Sequence, residues 1–193
     1  MQAKVANVSR FIGLALLLGT FVASIHGCGS RSTQLVSREI ESDIQRRDMP
    51  EDAPWRDRRT QSLVRAFYAE RRMLPAWTSG KGALNQARDL AGVLARAEDE
   101  GLNPEDYSAA ELAQHLEENQ AKLLVKGDPK ALAEFDLLCT IAAFHYMSDV
   151  YDGRISPKAL DAEWVAKPRR GDIDSLLTDA LRRNRVREML AEL

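Results

Sequence analysis

A chain of 193 residues with 27 basic and 29 acidic side chains is long enough for one compact core and too nearly neutral for an obvious nucleic-acid binder or a disordered acidic tail. Its apolar share of 45% suits a soluble globular domain, and only 6% aromatics beside plentiful Ala and Leu favour an all-α fold. Two cysteines outside any C-x-x-C pair exclude a disulfide-dense scaffold and give no support to structural zinc or thioredoxin-type chemistry.

Residues 1–27 carry Lys4 and Arg10 and no acid, and from Phe11 to Ile25 they are almost wholly apolar or small. This is a secretory signal pattern, shorter than the roughly 20 apolar residues a spanning helix needs. It ends at Ile25-His26-Gly27-Cys28, where a small residue precedes a cysteine as in a lipoprotein cleavage box, although His26 departs from the small or apolar residue usual there. Lipidation at Cys28 is expected, with the mature chain starting at that residue. Loss of Lys4 and Arg10 takes the net charge from −2 to −4. Gly29 is not the aspartate that retains such proteins in the inner membrane, so in a two-membrane host the expected location is periplasmic, anchored to the outer membrane. Cys139 is then the one remaining thiol, read as a small buried apolar residue with no disulfide.

Residues 28–59 are rich in Ser, Arg, Asp, Glu and Pro and are read as a tether. Val36, Ile40 and Ile44 lie four apart and would share one face of a short amphipathic helix, but the stripe is narrow. The helical domain is expected over 60–193, as a bundle of five to six helices. Thr60 is the predicted N-cap of the first, with Leu63, Val64, Phe67 and Tyr68 at helical spacing until Pro75. Leu84, Ala87, Ala91, Leu94 and Ala97 form a second stripe that stops at Gly101, which suits a left-handed C-terminal position. Ser108 and Glu111 have capping-box spacing and open a third helix running to about Val125. Asp128-Pro129 opens the longest, with Leu132, Phe135, Leu138, Cys139, Ala142, Tyr146 and Val150 along a broad face. Asp152-Gly153 signals a turn, Ser156-Pro157 caps a short helical turn, and Ile173, Leu176, Leu177, Ala180 and Leu181 open a last helical region. No strand-like alternation and no internal repeat competes.

Candidate chemistry is sparse. His26-Gly27-Cys28 has the residue order of the L,D-transpeptidase active-site signature, yet it lies at the end of the export signal, lacks a preceding Ser or Thr, and has no upstream histidine to serve as base. Cys139 and His145 are six positions apart, about 240° around a helix, and so point to different faces. His115 is read as a surface residue, and three histidines without clustered cysteines give no metal site. The acids Glu98, Asp99 and Glu100, Glu105 and Asp106, and Asp172 and Asp174 read as solvated helix ends, with a paired acid/base site as the alternative. Asp136 sits beside the apolar face with Thr140 one turn later, the placing of a half-buried anchor bonded to a neighbouring segment. Arg182, Arg183, Arg185 and Arg187 read as a solvated helix surface rather than a nucleic-acid site.

Four patterns follow in order: Phe67-Tyr68 with Pro75-Ala76-Trp77; Gly101-Leu102-Asn103-Pro104-Glu105-Asp106-Tyr107; Asp136 with Thr140; and Gly153-Arg154-Ile155-Ser156-Pro157 with Trp164. Over roughly residues 60–181 they resemble the scaffold domain of the large multi-domain L,D-transpeptidases of the YcbB type. The resemblance implies that Tyr68, Trp77, Gly101, Leu102, Pro104, Tyr107, Asp136, Thr140, Gly153, Arg154, Pro157 and Trp164 are structural. Independently of it, Arg154 follows the Asp152-Gly153 turn and is a candidate partner for an acid such as Asp136. In that family the helical domain precedes a peptidoglycan-binding module and a catalytic domain with a cysteine nucleophile. Neither pattern occurs in these 193 residues, so no activity is carried over. The expected role is that of an exported, non-catalytic scaffold in peptidoglycan metabolism, without cofactor. It would act by contact with a transpeptidase catalytic domain or another cell-wall protein. The front portion of a split or truncated transpeptidase and a peptidoglycan-binding module are the alternatives.

Overall fold

The computed structural model describes residues 31–46, 55–120, 128–152 and 172–193. Those residues form an all-α fold of seven helices: α1 (Arg31–Arg46), α2 (Trp55–Glu70), α3 (Asn85–Leu94), α4 (Ala109–Gln120), α5 (Pro129–Asp152), α6 (Ile173–Arg183) and α7 (Val186–Ala191). A two-residue antiparallel hairpin, β1 (Thr78–Ser79) and β2 (Gly82–Ala83), follows α2. Short 3-10 turns at Ala97–Glu100 and Pro104–Tyr107 link α3 to α4.

The helix α5 is the hub. The Asp128 carboxylate accepts from the Lys130 amide at 3.1 Å and Pro129 takes the first turn, where its missing N–H costs nothing. Ala133, Phe135, Leu137, Ala143, Phe144 and Met147 are buried on several sides at once, because α1, α2, α3, α4, α6 and the hairpin all pack on this one helix. Phe67 of α2 meets Phe144 edge to face at 5.8 Å, an arrangement favoured by the ring quadrupoles.

The expected tether contains a core helix. Val36 and Ile40 are fully buried and Ile44 nearly so, with α1 laid along α5. Taken alone, three residues on one stripe cover too little area to hold a helix; facing the all-round apolar α5, each side chain contributes on the order of 1.5–3 kcal/mol. The first helix of the expected domain also begins earlier than predicted, at Trp55, so Thr60 is a buried residue inside α2 and not its cap.

Local signals further along hold in part. Gly101 is left-handed at φ 71°, with its amide donating to Glu98 O and the Leu102 amide to Ala97 O, as its C-terminal position requires. Ser108 stands directly before α4, but at φ 52°, not in the extended conformation of a capping box. Leu84 and Leu176, placed in core stripes by their spacing, are among the exposed large apolar residues; Leu84 precedes the first turn of α3 and Leu176 faces outward from α6. The last helical region is two helices because Asn184 turns left-handed at φ 54° and the Arg185 amide closes back on Ala180 O at 2.9 Å.

Candidate functional site

The densest polar cluster among the described residues is built where α2 ends. Arg72 and Met73 both take left-handed backbone, φ 55° and 59°, and the Met73 amide donates to Tyr68 O at 2.8 Å. Such a pair costs on the order of 1–3 kcal/mol per residue. It reverses the chain so that Pro75–Thr78 runs past α5, and Arg71 steadies the turn by donating to Pro75 O at 3.1 Å.

There Asp136, fully buried, gathers five donors. Its Oδ1 accepts from the Tyr68 hydroxyl at 2.6 Å and the Ala76 amide at 2.9 Å. Its Oδ2 accepts from the Trp77 amide at 2.9 Å, the Thr78 amide at 2.7 Å and the Thr78 hydroxyl at 2.7 Å. Three successive backbone amides thus point at one carboxylate, which itself spans about four lone-pair sites. Thr140 completes the cluster: its Oγ1 accepts from Trp77 Nε1 at 2.8 Å and donates to Asp136 O at 3.0 Å, with the Tyr68 oxygen 2.8 Å away. Tyr68 has one proton to give, and the short contact with Asp136 takes it.

Burial pushes the Asp136 carboxyl above the ordinary carboxylate range, while the bonds from Ala76, Tyr68, Thr78 and Trp77 pull it back. Burial and the adjacent Asp136 charge push the Tyr68 hydroxyl well above its usual value, so it remains a donor. Both carboxylate oxygens face inward donors and neither faces solvent, so the arrangement acts as a fastening rather than as an acid or base. The half-buried anchor expected at Asp136 is therefore a fully buried one.

Tyr107 makes a second fastening. Its ring is buried against Tyr146 at 5.5 Å, and its hydroxyl donates to Asp149 Oδ2 at 2.8 Å, tying the Pro104–Tyr107 turn to α5. Pro104 starts that turn and the Asn103 side chain accepts from the Glu105 amide; Leu102 packs on the core. Sequence reasoning did not single out Thr78, nor Gln86, whose Nε2 donates to Leu181 O at 3.0 Å and Asn184 Oδ1 at 2.6 Å and so joins α3 to the end of α6. Its place beside the buried Ala87 in the α3 stripe was the available signal.

Cys139 and His145 have different surroundings. Cys139 is enclosed in the core, its thiol pushed well up by burial, whereas His145 lies 3.8 Å from Asp57. His115, expected at the surface, is partly buried with its ring 5.6 Å from Phe135. It borders a cavity of about 350 Å³ together with Asp43 and Arg46 of α1, Glu111 and Glu134, over Leu138. Asp172, directly before α6, accepts from the Ser175 hydroxyl at 2.8 Å, and its interaction with Asp174 in the first turn of α6 lowers the Asp172 carboxyl and raises that of Asp174. Arg182 and Arg183 pair with Asp179, Arg185 with Glu192, and Arg187 with Asp89 at 2.8 Å. Among the described residues no group of three His, Cys, Asp or Glu side chains is placed to hold a metal, and no helix is long and apolar enough to cross a membrane. Cys28, Gly153, Arg154, Ser156, Pro157, Trp164 and the proposed Asp136 pairing with Arg154 lie outside the described residues.

A family model described as the scaffold domain matches residues 62–193, beginning in α2 and taking in both tyrosine fastenings. The chain belongs to this family, the scaffold domain of L,D-transpeptidases. Within the scaffold domain, Tyr68, Trp77, Asp136 and Thr140 meet in one cluster, while Gly101, Leu102, Pro104 and Tyr107 share the turn that docks beside Asp149. The helix α1 precedes the matched segment. Neither the curated proteins nor the solved structures gave a match.

Proposed function

We propose that this protein is an exported scaffold, held by lipid on Cys28 at the periplasmic face of the outer membrane. It acts in peptidoglycan metabolism by gripping a transpeptidase catalytic domain or another cell-wall protein, not by chemistry of its own. Membership of the scaffold-domain family over residues 62–193 carries this reading. The internal chemistry supports it: Asp136 and Tyr68 spend their polar atoms on each other and on Ala76, Trp77 and Thr78, and the Cys139 thiol is enclosed and disfavoured as a thiolate.

The test is a pair of measurements on the purified mature chain. Incubated alone with murein peptides it is expected to leave them unchanged, and as bait in a periplasmic extract it is expected to retain an L,D-transpeptidase. Cross-linking or trimming of the peptides by the chain itself, lost in Cys28→Ala, would overturn the reading.

A further inference from the structure

The start of α1 fixes how far the folded domain stands from any anchor on Cys28. Arg31, the first residue of α1, is three residues beyond that cysteine, and three extended residues reach only about 10 Å. Docked on α5 through Val36, Ile40 and Ile44, α1 belongs to the folded body. The tip of the β1–β2 hairpin lies against the same end: a Cβ placed on Gly80 would overlap Ser32 Oγ and stand 2.5 Å from Ser32 Cβ. Around this end are the exposed cations Arg31 and Lys81, and one turn along α1 comes Leu35, 43% exposed.

We infer that this end, made of the first turn of α1 and the Ser79–Gly82 hairpin tip, rests on the bilayer surface, with Arg31 and Lys81 facing anionic lipid headgroups. The inference rests on the lipid anchor proposed above. Its consequence is a domain held flush with the membrane, its opposite parts presented outward, instead of one roaming on a thirty-residue leash. Cations close to an anionic surface add to the attraction.

The lipidated full chain, labelled with a fluorophore at Gln34→Cys in the exposed first turn of α1, is reconstituted in phosphatidylethanolamine–phosphatidylglycerol vesicles with nitroxide headgroups; buried Cys139 takes no label. Strong quenching is expected. It should fall by more than half when a Gly/Ser insert of about twenty residues, whose r.m.s. length is roughly 25 Å, is placed between Gly29 and Ser30. Equal quenching of the parent and the insertion variant overturns the inference and leaves the anchor standing. An N-terminal peptide without acyl mass at Cys28 overturns both, and mass spectrometry separates the two failures.

Discussion

Tyr68 and Asp136, 68 positions apart, are joined by a 2.6 Å bond that links the last turns of α2 to the first half of α5. Tyr68→Phe keeps the ring and removes this one donor, leaving four on the carboxylate. A hydrogen bond to a charged group of this kind is worth about 1.5–3 kcal/mol. Urea denaturation should show a loss of that size, and a variant as stable as the parent would mean that the hydroxyl contributes nothing.

Asp136→Asn should be worse. The amide presents an NH2 where two or three donors already point, so backbone amides of Ala76–Thr78 lose their acceptor in a buried place. Breaking such an arrangement costs roughly 3–5 kcal/mol. The same denaturation series should rank Asp136→Asn below Tyr68→Phe; the reverse order would remove the carboxylate from the centre of the cluster.

Cys139 is enclosed and its thiol is pushed up by burial, so both access and thiolate formation are suppressed. In the full chain carrying Cys28→Ala, a thiol-specific disulfide reagent should react at least about a hundredfold more slowly in native buffer than in urea. Native labelling at the rate of a free thiol would place Cys139 at the surface.

Ile40 and Leu35 sit on the same helix with opposite exposure, fully buried against 43% exposed. Ile40→Ala should therefore cost about 2–5 kcal/mol and Leu35→Ala within about 0.5 kcal/mol. Limited proteolysis should cut earlier within residues 31–46 in the Ile40 variant alone. Equal effects would return α1 to the status of a tether.

Gly80→Ala tests the approach of the hairpin to α1. The added methyl meets Ser32, which must shift, at a cost of roughly 1–3 kcal/mol. Ser32→Gly in the same chain should recover much of that loss, giving a measurable coupling in a double-mutant cycle. Additive effects would show that the two residues do not touch.

What the residues disclosed beforehand, and what they withheld, follows from which atoms do the bonding. Asp136 was legible as an anchor because an acid beside an apolar face needs partners, and Tyr68 and Trp77 were already grouped with it by the family pattern. The remaining donors to Asp136 are mostly backbone amides, which every residue but proline carries and no letter of the sequence marks. The hairpin was invisible since two-residue strands are too short to alternate. The segment of α1 reads as a tether for a different reason: its stripe gains its worth from the all-round burial of α5, a property of the assembled bundle. Ser108 and Glu111 matched a capping box in spacing while the preceding turn at Pro104–Tyr107 set Ser108 into left-handed backbone.

The Tyr68 to Asp136 bond also sets a clock. A ribosome adding about 5–20 residues per second makes Tyr68 roughly 3 to 14 seconds before Asp136. Throughout that interval α2 has no partner to lie on and the Ala76–Thr78 amides have no carboxylate. The amino-terminal half therefore lacks its main packing partner while it is being synthesised, and closure also awaits α6 and α7, which pack on α2, α3 and α5.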